Sequence, residues 1–195
     1  MSTSKRTFLA LLALVAGLQT AALAYIVVDR DRLLKSGIEI ILPVTPLDPR
    51  DIFRGDYVTL GNPLSAIGSI AAKLDPKLPD GIVKGGPVYV TIASENDTWA
   101  VRAVSPVYPA EVPSGTVVLK GRVKQIYNAG SEPGYSLSVR YGIETYFVPE
   151  GTGMALEAQV RDNAIKAILA VGPGGTAAIK GLIVDGQRHE APAIF

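Results

Sequence analysis

The densest polar chemistry in this 195-residue chain falls between Asp48 and Asp56. Asp48, Arg50, Asp51, Arg54 and Asp56 put five charges of both signs into nine positions of a chain that is only 19% charged. This spacing supports two readings. Arginine forks can hold carboxylates or other oxyanions through paired hydrogen bonds, which makes the loop a recognition or catalytic surface. Alternatively Arg50 or Arg54 bridges to Asp48, Asp51 or Asp56, and the loop satisfies itself as an ion-paired strand entry. Pro49 presets one backbone angle and Gly55 permits a positive one. Tyr57 then leads into the strand-like run Tyr57–Leu60. A second set lies downstream. Glu144 and Tyr146 fall on one face of an alternating segment, and Glu150 falls at a predicted helix start, where the dipole favours a carboxylate. Asp48, Arg50, Asp51, Arg54, Asp56, Tyr57, Glu144, Tyr146 and Glu150 therefore make up the candidate polar cleft. Ordinary strand-face and helix-start placement is the plainer account of the last three.

Several other chemistries are disfavoured by composition. The chain has no cysteine, so disulfides, thiolate metal sites and a cysteine nucleophile are excluded. Its one histidine, His189, lies in a carboxy-terminal tail without periodicity, which argues against a Ser-His-Asp triad. No residues have structural metal-ligand spacing, and the arginines among the loop aspartates oppose a hard cation. No cofactor is expected. Gly172-Pro173-Gly174-Gly175 lacks the Lys-Ser/Thr of a phosphate-binding loop and reads as a hairpin turn. A Ser-Lys dyad stays open, because both residue types are plentiful. Formal net charge is +1 with no basic and aromatic patch, so nucleic acid is not an expected partner.

These residues need elements to position them. Residues 8–28 are uncharged behind Lys5 and Arg6, and Asp29-Arg30-Asp31-Arg32 ends the run. At 1.5 Å per residue it spans roughly 30 Å, the thickness of a bilayer core. The reading adopted is an uncleaved signal anchor over residues 1–32, inserted in the cytoplasmic (inner) membrane. Lys5 and Arg6 favour an inside amino terminus, which leaves residues 33–195 outside the cytoplasm. A signal peptide cleaved after Ala24, at Ala22-Leu23-Ala24, is the competing reading.

The rest predicts short strands between turn signals: Ile38–Val44, Tyr57–Leu60, Pro87–Ala93, Thr98–Val104, Thr116–Ile126, Tyr135–Phe147, Ala164–Val171 and Thr176–Val184. In the fourth of these, Trp99, Val101 and Ala103 are expected to share a face. Gly121 suggests a bulge or a close backbone approach. Leu64–Lys73 reads as a short helix and Leu74–Gly86 as a loop. Glu150–Asn163 is the clearest helical stretch. About eight strands with one short helix and no βαβ alternation predict a mainly-β domain, a small barrel or sandwich, behind the transmembrane helix.

The run Gly55-Asp56-Tyr57-Val58-Thr59-Leu60, with Pro43–Arg54 before it and Tyr141–Glu157 after it, resembles the GDYXXLXY family of bacterial proteins. The second aromatic of that motif is replaced here by Gly61-Asn62-Pro63, so the strand is expected to end early. The resemblance implies membrane-anchored proteins that accompany polytopic membrane proteins, and it brings no reaction with it. The function expected is thus a membrane-anchored accessory or interaction domain with an integral membrane partner, more a binding module than an enzyme. A membrane-tethered hydrolase using carboxylates or a Ser-Lys dyad, and a β-barrel holding a small ligand, are the alternatives.

Overall fold

The computed structural model describes residues 3–47, 57–61, 64, 66–67, 78–95, 98–128, 135–147 and 165–190. Helix α1 (Thr3–Ser36) is followed by β1 (Ile38–Pro43), β2 (Thr45–Leu47), β3 (Tyr57–Gly61), β4 (Ala66–Ile67), β5 (Pro87–Glu95) and β6 (Thr98–Ser105). Then come β7 (Thr116–Asn128), β8 (Tyr135–Arg140), β9 (Thr145–Phe147), β10 (Ile165–Val171), β11 (Ala177–Val184) and β12 (Gln187–Glu190). The domain is mainly β behind one long helix, as the sequence predicts. Eight of the twelve described strands have five or more residues, and these are the eight expected. The expected helix over 150–163 lies outside the described residues.

Three sheets form, in the orders β1-β10-β11-β12, β2-β3-β9 and β4-β8-β7-β5-β6. The four- and five-stranded sheets share one core. Ile40, Leu42, Ile165 and Leu169 from the first pack with Val88, Val90, Ile92, Leu119, Val123 and Leu137 from the second. Each such aliphatic side chain contributes about 1.5–3 kcal/mol when fully buried. β-branched residues dominate these strands because they fit a pleated, half-buried surface.

The Gly172–Gly175 turn joins β10 to β11 as a hairpin, with Gly175 at φ 81°. It also locks the two large sheets together. The Lys120 amide donates to the Gly175 carbonyl at 2.7 Å. A Cβ on Gly175 would lie 3.0 Å from both the Lys120 nitrogen and the Val118 oxygen, so only glycine allows this approach. Gly121 shows the close backbone approach expected of it: a Cβ there would lie 3.1 Å from the Arg140 carbonyl oxygen and would meet the Val139 side chain.

Four expectations need correction. The strand over 135–147 is cut at Tyr141–Glu144, where Gly142 takes φ 82° and the chain passes from the five-stranded to the three-stranded sheet. Ala66–Ile67 pairs with β8 as a strand rather than forming a helix. The tail is not without structure. Asp185-Gly186, both at positive φ, close a tight hairpin that returns β12 along β11. In β6 the register with β5 shifts at Arg102, which has no partner opposite. Both Arg102 and Ala103 then face solvent, and Val104 packs on the core together with Trp99 and buried Val101. A bulge of this kind reverses the alternation that strict period-two reading assumes.

Residues Thr7–Ser36 of α1 are long and apolar enough to cross a membrane, and none of that apolar face is buried by the domain. The helix does not stop at the Asp29–Arg32 boundary. It runs on to Ser36 and turns directly into β1 through Gly37, whose amide donates to the Leu33 carbonyl at 2.9 Å.

Candidate functional site

The charged segment 48–56 is framed by the three-stranded sheet. β2 pairs antiparallel with β3, Leu47 opposite Thr59, and β3 pairs with β9, Tyr57 opposite Phe147 and Val58 opposite Tyr146. The chain positions Leu47, Tyr57 and Phe147 therefore lie at one end of one small sheet. The described chain stops and resumes there on either side of 48–56, at Leu47 and Tyr57, and it stops at Phe147 before 148–150. Asp48, Arg50, Asp51, Arg54, Asp56 and Glu150 themselves lie outside the described residues, and for Tyr57 and Tyr146 only the strand position is described. β3 is described as far as Gly61, and Asn62 and Pro63, on which the expected early end of the strand rests, lie outside the described residues.

Glu144 is the candidate whose contacts are defined. Its carboxylate accepts the Tyr141 amide at 2.6 Å and the Gly142 amide at 3.0 and 3.3 Å. A carboxylate accepting backbone amides makes strong, charge-assisted bonds. It fixes the sharp turn at Gly142 that re-aims the chain into β9. Its oxygens are thus engaged by the backbone, an arrangement suited to holding Tyr146 opposite β3 rather than to proton transfer. Tyr141, which the sequence does not single out for the cleft, completes this corner. Its buried hydroxyl donates to the Leu64 carbonyl at 3.1 Å. Burial pushes the phenol well above its ordinary range, and the Glu144 charge adds to the shift. The phenol at this corner is therefore kept neutral.

Among the described residues no group of three or more His, Cys, Asp or Glu side chains could hold a metal ion. His189 is exposed on β12, opposite Leu182.

Two polar features carry no signal in the sequence. The first crosses the outer face of the four-stranded sheet. Arg188 on β12 binds Glu39 on β1 with both fork nitrogens at 2.9 Å, and Glu190 at 2.6 Å. Lys180 on β11 joins Glu39 at 3.2 Å and Glu190 at 3.7 Å. The strand between places the small residue Ala170 opposite Glu39, and long side chains can bridge above it. The hydrogen bonds from Arg188, with Lys180 assisting, hold the Glu39 carboxyl below its ordinary range. Residues this far apart in sequence offer no spacing pattern.

The second is a groove of about 380 Å³ between the last turns of α1 and the β10–β11 turn. Asp29, Arg32, Leu33 and Ser36 line its helix side, and Gly172, Pro173 and Thr176 its turn side. Glycine makes this junction possible. A Cβ on Gly37 would lie 2.7 Å from the Leu33 oxygen and 3.0 Å from the Val171 nitrogen, and one on Gly172 would lie 3.0 Å from Leu33 Cδ1.

A family model described as GDYXXLXY protein matches residues 19–182, most of the chain, and the chain belongs to that family. No curated protein and no solved structure was found to match it.

Proposed function

We propose that this member of the GDYXXLXY family is a membrane-anchored accessory domain that binds an integral membrane protein outside the cytoplasm. The observation that carries the reading is the helix–domain junction. An apolar helix of spanning length passes without a linker into the first strand, and glycines at 37 and 172 let its last turns close onto the sheet. A domain held in this way stays at the bilayer surface, within reach of other membrane proteins. Lys5 and Arg6 orient the amino terminus inward. The docking surface is the end of the three-stranded sheet marked by Leu47, Tyr57 and Phe147, the residues that border the mixed-charge segment 48–56 and residues 148–150 in the chain. Arginine and tyrosine are favoured at such surfaces because they combine contact area with directed hydrogen bonds.

The test is site-directed photo-cross-linking of the full chain in its native membrane, from Tyr57, from Tyr146 and from the remote position Val107. The reading expects a discrete adduct with a polytopic protein from the first two sites, weakened by Arg54→Gln. Absence of an adduct from all three sites, or an adduct from Val107 alone, would overturn it.

A further inference from the structure

We infer that the groove between α1 and the Gly172–Thr176 turn is a binding site for the headgroup of a zwitterionic phospholipid. The inference rests on the membrane anchor proposed above. The uncharged run ends at Val28, so Asp29–Ser36 occupy the next eight helical positions. At 1.5 Å per residue they rise through roughly 12 Å beyond the hydrocarbon edge. The headgroup layer covers roughly the first 5–8 Å of that distance. The end of the groove lined by Asp29, Arg32 and Leu33 therefore lies at headgroup depth, and the groove's volume, about 380 Å³, is within the range of small-ligand sites.

Its charges are of the right kind. Lys35 pairs with Asp31 at 2.9 Å on one side of the helix. Asp29 and Arg32 are three residues apart, on one helix face, and both line the groove. Among the described residues neither has an ion-pair partner, and both are exposed. One cation and one anion thus stand about one helical turn apart. A zwitterionic headgroup presents the complement, a phosphate and an ammonium joined by a two-carbon link. The Arg32 fork suits the phosphate. The Asp29 carboxylate suits the ammonium. Leu33 and Pro173 supply apolar walls. The acyl chains would then descend along the apolar surface of α1 into the bilayer.

The test uses the full chain purified in mild detergent and examined by native mass spectrometry while phosphatidylethanolamine or phosphatidylglycerol is titrated in. The expected result is a single retained phosphatidylethanolamine at concentrations about tenfold below those needed for phosphatidylglycerol, a difference of about 1.4 kcal/mol. Asp29→Asn should erase the preference, and Arg32→Gln should weaken both lipids. Arg30→Gln, at the same boundary but outside the groove, should change neither. Soluble phosphoethanolamine should compete with the lipid, whereas inorganic phosphate should not. Equal retention of both lipids by the unaltered chain would overturn the inference, as would an equal effect of Arg30→Gln. Alkaline extraction of membranes separates this from the anchor itself. A chain that washes out refutes the anchor, and a chain that stays but shows no lipid preference refutes only the headgroup site.

Discussion

Replacing Gly37 with alanine should undock α1 from the domain. The added methyl would sit 2.7 Å from the Leu33 carbonyl oxygen, 3.0 Å from the Val171 amide nitrogen and 3.1 Å from Ala170 Cβ. Two of these are backbone atoms, and the third belongs to a residue 1% exposed, so no side chain can rotate away. Inserting a methyl into a site of this kind costs about 1–3 kcal/mol. In a chain of this size each kcal/mol corresponds to about 2–4 °C in melting temperature, so the midpoint should fall by about 2–12 °C. Relief comes most easily by separating Leu33 from β10, which loosens the last helical turn. The assay pairs a thermal melt of the full chain in detergent with limited proteolysis after Lys35. The variant should melt lower and be cut faster. Gly174→Ala is the matched control, because a Cβ there meets nothing within 4 Å. A Gly37→Ala chain with an unchanged midpoint and unchanged cleavage would refute the close-packed junction, and with it the rigid presentation of the domain.

Three further outcomes follow from the polar contacts. Tyr141→Phe removes the hydroxyl bond to Leu64 and should lower stability by about 1 kcal/mol at neutral pH. Because the folded phenol is raised above its ordinary value of 10.0, its stabilising contribution is complete below that pH and lost above it. Thermal melts of Tyr141→Phe should thus show a flatter decline than wild type above about pH 10. Glu144→Ala deprives two amides of their acceptor and should cost about 1.5–3 kcal/mol by denaturant titration, the range for bonds to a charged group. Glu39 behaves in the opposite sense on the acid side. Its folded carboxyl is depressed below the ordinary 4.5, so its contribution is present above that pH and lost as pH falls further. Glu39→Gln should make the acid limb of the stability profile shallower. The effect should stay below about 1 kcal/mol and shrink in salt, because the network is partly solvated.

Most of the strand framework is legible in the sequence, because β-branched runs bounded by Gly, Pro and Asn mark it locally. The Gly172–Gly175 hairpin and the close approach at Gly121 are legible for the same reason. The misses arise where a local pattern is overridden. The alternation from Tyr135 to Ile143 continues through a change of sheet, since the burial period persists while Gly142 bends the backbone. Arg102 shifts the phase of β6 with nothing in its own sequence to show it. Asp185-Gly186 is a turn signal for β12, but the polar strand Gln187–Glu190 has no apolar alternation to support it. The polar cleft rests on the charge density at 48–56. Of its nine residues only Glu144 has described contacts, and they serve the backbone. The Glu39–Arg188 network and the groove beside Arg32 join residues more than a hundred positions apart, which only the fold brings together.

The central claim is an intact anchor with the domain outside the cytoplasm. The chain has no cysteine of its own, so a single Val107→Cys on an exposed loop gives one reactive thiol. Intact cells are treated with a membrane-impermeant maleimide, and the chain is sized in membrane and soluble fractions. The account predicts labelling without lysis of a full-length 20.5 kDa chain that stays with the membrane. Labelling only after lysis, or a shortened soluble chain beginning at Tyr25, would contradict it.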